Sequence, residues 1–254
     1  MNVANILRYP VKGLSAQELP AATLTVGAGL PLDRRYALLL GTLTPDVGVP
    51  EEGGWRAKTD FLALDRHERL AALHTEFDPD THMLVIRRNG KPVSRGRLDQ
   101  PMGRTLVEQF FTAYMAGSVP GVPRIQEGGA DFAFTDVREP LVSILNLASV
   151  HDIERVAKQP VDPHRFRANL WLDGVPAWAE RSWVGRTLSI GDVRLEVTAP
   201  ITRCPATEVN PQTGARDLNV VQTLKRGYGH AQCGVYARVV AGGSIATGDG
   251  VTLA

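Results

Sequence analysis

Thr187-Leu188-Ser189-Ile190, Gly191-Asp192 and Val193-Arg194-Leu195-Glu196-Val197 read in order as strand, tight turn and strand. The two runs are short and apolar-rich, and the Gly-Asp pair suits the turn of a hairpin. The second run leads to Thr202-Arg203-Cys204-Pro205, which sets a cysteine beside a fixed positive charge where a strand gives way to a turn. A cation next to a thiol favours the thiolate, the form that attacks electrophiles and binds soft metals. The proline removes one backbone donor and stiffens the chain beyond the sulfur. The same cysteine also suits a buried site, where it acts as a small apolar residue.

Working outward, strands are expected at Asn5 to Tyr9, Ala22 to Val26 and Arg35 to Leu40, with an exposed loop from Thr42 to Gly54. Ala71 to Phe77 and Met83 to Arg87 look like a strand pair, and Asn89-Gly90-Lys91-Pro92 is a hairpin signal. Leu106, Val107, Phe110, Phe111 and Tyr114 recur at helical spacing and predict a helix over Pro101 to Ala116. The Gly/Pro-rich stretch Gly117 to Pro123 marks the best boundary, so residues 1–117 and 118–254 are expected as two domains. Beyond it come a strand at Leu141 to Leu145, a helix from Ser149 to about Lys158 with a capping-box-like start, and a strand at Arg167 to Leu172. Asp217 to Leu224 suggests a short helix and Cys233 to Val240 a strand, before a tail of short strands and tight turns. Many short strands between regular turn signals predict an α+β chain, mainly β, with a barrel-like core and a few helices.

The 254 residues are 43% hydrophobic and 22% charged, as in ordinary soluble proteins, with a formal net charge of +1. No global field gathers nucleic acid or an anionic membrane, so an anionic ligand has to be met by a local cluster of cations. Cys204 and Cys233 are too few for a disulfide framework and fit a reducing compartment. The N-terminal residues do not read as a signal peptide, and no apolar run approaches a membrane span, so a cytoplasmic location is expected. Zinc-type CxxC and HExxH patterns and glycine-rich phosphate loops are missing.

Four basic segments stand at expected strand ends or turns: Tyr9-Pro10-Val11-Lys12, Asp33-Arg34-Arg35-Tyr36, Arg165-Phe166-Arg167-Ala168-Asn169 and Arg203-Cys204. Together they carry what a phosphorylated cofactor needs, because guanidinium forks grip phosphate bidentately and a lysine adds a point charge. Cys204 with His230 is a second conceivable arrangement, a nucleophile and a base. Trp171, Trp178 and Trp183 border a region suited to walling a pocket or to plain core packing. Asp217 is a candidate proton donor, or else a helix cap.

Nearly the whole chain resembles the MOSC-domain proteins preceded by a MOSC N-terminal β-barrel domain, of the amidoxime-reducing kind. Tyr9-Pro10-Val11-Lys12-Gly13, Leu32-Asp33-Arg34-Arg35-Tyr36-Ala37 and Phe166-Arg167-Ala168-Asn169-Leu170 carry the likeness. So do Arg203 to Gly214, Gly234-Val235-Tyr236-Ala237 and Ile245-Ala246-Thr247-Gly248-Asp249. The resemblance implies a MOSC-type β-barrel core with a smaller β-rich N-terminal domain. It implies a molybdenum cofactor, a metal ion on the dithiolene of a phosphorylated pterin, with Cys204 as the protein thiolate on molybdenum. Lys12, Arg34, Arg167, Asn169 and Arg203 would hold the pterin, and Thr202 and Ser149 would stand as small hydroxyl residues near it. Ser149 also has an expected place at a helix N-terminus, a natural anion site. The implied activity is two-electron reduction of N-hydroxylated or related N-oxygenated small molecules. Two cysteines cannot hold an iron–sulfur cluster with four thiolates, so a separate electron-donor protein is expected. The alternative from another class is a carrier that holds sulfur, or the cofactor, through Cys204.

Overall fold

The computed structural model describes residues 1–43, 57–128 and 133–254. Most of the expected loop from Thr42 to Gly54 lies outside the described residues. Among those described, the strands are β1 Asn2–Arg8, β2 Gln17–Leu19, β3 Ala21–Leu24, β4 Tyr36–Leu39, β5 Leu73–Asp78, β6 Met83–Arg88, β7 Lys91–Arg97 and β8 Arg124–Glu127. They continue with β9 Val142–Asn146, β10 Leu170–Asp173, β11 Thr187–Ile190, β12 Val193–Thr202, β13 Gln232–Ala241, β14 Gly243–Ala246 and β15 Val251–Leu253. Three α-helices join them: α1 Pro101–Tyr114, α2 Leu147–Ala157 and α3 Val220–Tyr228.

Eight strands form the main sheet in the order β15-β11-β12-β13-β9-β10-β1-β2. Its centre is the long antiparallel pair β12–β13, in register from Arg194 opposite Ala241 to Thr202 opposite Gln232. Three register shifts interrupt that pair, and such irregularities increase twist and curvature. Strand β9 runs parallel to β10 and antiparallel to β13. Along β12, Val193, Leu195 and Val197 are buried while Arg194 and Glu196 are not. Their side chains join Val3, Ile6, Leu170, Val235 and Val251 in one core. A fully buried Val or Leu contributes about 1.5–3 kcal/mol. This alternation pins the register, because a slip by one residue would turn the apolar row to water.

The smaller sheet β5-β6-β7 carries α1. Its β5 alternates strictly, with Leu73, Thr75 and Phe77 inward. These pack with Val107 and Phe111 of α1 and with Leu62, Leu70 and Tyr36 in a second core. The β6–β7 turn holds Asn89 and Gly90 at φ of 51° and 74°, the left-handed pair that the hairpin signal requires. Strand pairings cross the expected boundary at 117/118 in both directions. β1 and β2 lie in the eight-stranded sheet, β3 pairs with β14, and β4 pairs with β8.

Helix α1 approaches β7 through two glycines. A Cβ on Gly103 would fall 2.1 Å from the Arg97 carbonyl oxygen, and one on Gly96 would fall 2.2 Å from the Gly103 oxygen. Gly→Ala in an open helix stabilises by about 1 kcal/mol, but backbone cannot yield to this overlap. Gly103→Ala is therefore expected to destabilise the chain by about 1–3 kcal/mol. The check is a lower urea midpoint at unchanged slope; an unchanged or higher midpoint would contradict the contact.

Two expected helix starts shift. Helix α2 begins at Leu147 rather than Ser149, because the Asn146 side chain accepts from the Ala148 N–H and caps it. Helix α3 begins at Val220, capped by Asn219, whose side chain accepts from the Gln222 N–H. Asp217 is thus not its cap. No helix among the described residues is long and apolar enough to cross a membrane.

Candidate functional site

A cavity of about 560 Å³ opens where the end of β12 meets segments of the N-terminal half. Of the residues expected at a cofactor site, Lys12, Arg34, Arg167, Asn169, Thr202, Arg203 and Cys204 stand on its wall. The chain brings them there from four separate regions, each at the end of an extended segment. Among the described residues, six cationic side chains (Lys12, Arg34, Lys58, Arg165, Arg167 and Arg203) and two carboxylates (Asp65 and Asp136) line it. The wall is strongly positive although the whole chain carries only +1.

Cys204 lies two residues beyond the end of β12 and opens a short 3-10 turn, Pro205–Glu208, with extended φ and ψ of −116° and 173°. Proline at the first position of that turn costs no hydrogen bond, since its N–H would have no partner there. Cys204 is partly buried and free. The Lys58 ammonium donates to its Sγ at 3.2 Å. Lys58 also pairs with Asp65 at 3.0 Å and reaches Asp136 at 3.7 Å. Burial works against the Lys58 ammonium, but Asp136, Cys204 and Asp65 outweigh it and hold its pKa above the ordinary lysine value.

Arg203 is 9% exposed. Its Nε donates to the Cys233 carbonyl at 2.7 Å and its Nη1 to the Phe166 carbonyl at 2.7 Å. Its Nη2 has no partner among the described residues. Space beside it depends on Gly234, where φ is +75° and a Cβ would stand 2.4 Å from the Ile144 oxygen and 3.0 Å from Arg203 Nη2. Arg167 sits in the left-handed region at φ 52°. Its Nη1 donates to the Leu14 carbonyl at 2.8 Å, and its Nη2 has no partner among the described residues. Burial pushes the Arg167 guanidinium down to about 10 and also lowers Arg203. Among the described residues neither arginine has a carboxylate in salt-bridge reach.

Arg34 is paired differently. It bonds Asp33 at 2.5 Å, and its Nη2 donates to the Arg167 carbonyl at 2.8 Å. Against the cost of burial, Asp33 keeps its pKa raised. Both Arg34 and Arg167 rest over the Tyr9 ring, 4.4 and 4.2 Å from its centroid, a cation–π arrangement. Lys12 donates to Asp136 at 2.6 Å and to the Phe134 carbonyl at 2.8 Å. Burial lowers its pKa, with Asp136 opposing. Asn169 spends its amide on the backbone: Oδ1 accepts from the Ser143 N–H and hydroxyl, and Nδ2 donates to the Leu7 carbonyl. It braces β9, β10 and β1 beneath the cavity.

Ser149 and Asp217 are not on the wall. Ser149 is fully buried in the first turn of α2, where its hydroxyl donates to Glu180 at 2.8 Å and accepts from the Trp178 N–H at 2.8 Å. The buried Glu180 carboxylate also accepts from Asn146 Nδ2 at 2.8 Å. Ser149 therefore serves an internal polar network around Glu180 and does not line the cavity. Ser149→Ala is expected to cost about 1–3 kcal/mol by removing a donor from a buried carboxylate. Chemical denaturation checks the loss, and ligand content per folded chain should not change.

Asp217 accepts from Arg165 Nη2 and Asn210 Nδ2, each at 2.6 Å. Burial acts to raise its pKa, but Asn210 and Arg165 outweigh it and hold it low. A proton donor needs the opposite shift. Neither His230 nor the three expected wall tryptophans line the cavity. His230 and Trp178 pack with Tyr228, while Trp171 and Trp183 are core. Sequence reasoning missed Lys58, Asp65 and Asp136, which lie outside the quoted motifs and carry no local signal.

Residues 130–252 match the MOSC domain family. Mitochondrial amidoxime-reducing component 1 of Mus musculus is 36% identical over 94 residues, covering 37% of this chain and 26% of that protein. Molybdenum cofactor sulfurase of Homo sapiens is 40% identical over 60 residues, covering 24% of this chain and 6% of that protein. The matches thus span about a quarter or less of these relatives' own lengths. Among solved structures, the YuaD protein of Bacillus subtilis aligns at 11% identity and a TM-score of 0.46, covering 99% of this chain and 94% of that one. The part of the chain that holds β12 and β13 thus falls within the stretch, residues 130–252, that matches the MOSC domain family.

Proposed function

We propose that the chain is a molybdenum-cofactor-binding oxidoreductase that reduces N-hydroxylated or related N-oxygenated small molecules with electrons from a separate redox protein. One observation carries the reading. Arg203 is buried and Arg167 partly buried on the wall that holds Cys204; among the described residues their hydrogen bonds go to backbone carbonyls, and each leaves a buried Nη2 unmet. Guanidinium groups drawn this far out of water without carboxylates are costly unless an anion completes them. A phosphorylated pterin is such an anion, so the donor set fits the group.

In this reading Cys204 supplies the thiolate to the metal, a soft ligand for a soft site. Arg203, Arg167, Arg34 and Lys12 hold the anionic pterin, and Thr202 adds a hydroxyl at the end of β12. When bound, the cofactor supplies the two-electron redox chemistry. The chain orients it: Arg203 locks the Cys204 backbone against β13 through Cys233, and Tyr9 fixes the planes of Arg34 and Arg167. Lys58 sets a positive partner at the sulfur and holds a proton there, with Asp65 and Asp136 keeping it charged.

The test is reduction of an aromatic amidoxime by chain purified from a host that makes the cofactor, using a low-potential dye as electron donor. Turnover that scales with molybdenum content supports the reading. No reduction with any donor in metal-loaded protein sinks it, and a persulfide found on Cys204 by mass spectrometry in that case would favour a sulfur carrier.

A further inference from the structure

A second cavity, of about 200 Å³, lies against the first and shares Arg165 and Arg167 with it. Tyr9 lines this second cavity and is absent from the wall of the first. It is 1% exposed, its hydroxyl has no partner, and burial raises its pKa so that the phenol keeps its proton. Arg165 is also deeply buried. Its Nη2 is held by Asp217 and its Nη1 donates to the Glu208 carbonyl, but its Nε has no partner. Arg167 Nη2 is the third unmet group. All three can donate, and the Tyr9 hydroxyl can also accept. Most buried polar groups in folded proteins are paired, so three unmet donors around one cavity need a shared explanation.

The rest of the wall is largely apolar, with Leu14, Leu64, Val209 and Pro211. An apolar surface with a few convergent polar groups is the usual form of a small-molecule site. The two guanidinium groups are donors only and the phenol can donate, so a ligand that presents acceptors satisfies all three together. An ionised carboxylate does this, and charge-assisted bonds to guanidinium are the strong kind. An apolar cavity of about 150 Å³ accepts benzene, so this one has room for a ring and a carboxylate.

We propose that the cavity bounded by Tyr9, Arg165 and Arg167 binds a small aromatic carboxylate, with the ring on the Leu14, Leu64 and Val209 side. Arg167 also serves the first cavity in the proposed function, so the donors proper to this site are the Tyr9 hydroxyl and Arg165 Nε. His164, paired with Asp162 at 2.8 Å, lies on the polar rim with His74, Ser15 and Gln212.

The test is calorimetric titration of the full chain with benzoate, benzamide and inorganic phosphate, in the wild type and in Tyr9→Phe. Benzoate should bind at least about tenfold more tightly than neutral benzamide, and Tyr9→Phe should weaken it by about tenfold. Without ligand, Tyr9→Phe should melt no lower than the wild type, because the lost hydroxyl has no partner. That readout separates a ligand contact from a structural role. Ala71→Phe, which fills the apolar side and leaves the donors in place, should abolish benzoate binding. Equal binding of benzoate and benzamide, phosphate binding as tight as benzoate, or wild-type affinity in Tyr9→Phe would each overturn the proposal.

Discussion

Cys204→Ala is expected to strip the chain of metal-linked reductase activity by more than about a hundredfold, since even outer partners of metal ligands are worth 10–100-fold. The fold should survive. Cys204 is only partly buried, and its one described side-chain partner is the Lys58 ammonium. A small apolar side chain at such a position shifts stability by about 0.5 kcal/mol or less. The decisive combination is therefore metal content and activity lost together at an unchanged urea midpoint. Activity near the wild-type level in Cys204→Ala would remove the thiolate from the account. Loss of activity with unfolding would assign Cys204 a structural part that its surroundings do not suggest.

Arg203→Lys should have the second largest effect, and on two quantities at once. The guanidinium spans the carbonyls of Cys233 and Phe166 with two arms and keeps a third group unmet beside Gly234. A lysine keeps the charge but cannot span both carbonyls and also face the cavity. At least one buried carbonyl loses its donor, a cost of about 1–3 kcal/mol. Cofactor retention should fall by about tenfold or more, because a planar fork is replaced by a point charge. The measurements are the urea midpoint of cofactor-free protein and molybdenum per chain after gel filtration. A midpoint drop with unchanged retention would make Arg203 a brace only.

The strands around Cys204 were readable because their signals are local. The 187–197 hairpin has its turn residues between two apolar-rich runs, and Asn89-Gly90 lies in the left-handed region that it alone tolerates well. Strand β12 runs on to Thr202 through Pro200 because β13 continues to pair with it, a long-range cause with no local mark. The same holds for β1 joining β10, and for β4 joining β8 across the expected domain boundary.

The convergence of Lys12, Arg34, Arg167 and Arg203 was legible only through the motif order, since spacing alone does not bring segments together. Ser149 misled because its hydroxyl follows a helix start in sequence, whereas the true cap is Asn146 and the hydroxyl belongs to Glu180. Asp217 misled because its neighbours in space, Arg165 and Asn210, hold it ionised. Lys58 was invisible: a lysine beyond a polar loop reads as a surface charge until the fold sets it 3.2 Å from the sulfur.

The most direct test of the account is the content of molybdenum and pterin in folded chain purified from a host that makes the cofactor, with a known molybdoenzyme produced alongside. The account predicts close to one metal and one pterin per chain, held through gel filtration. Folded chain with neither, from a culture in which the companion enzyme is loaded, would contradict it.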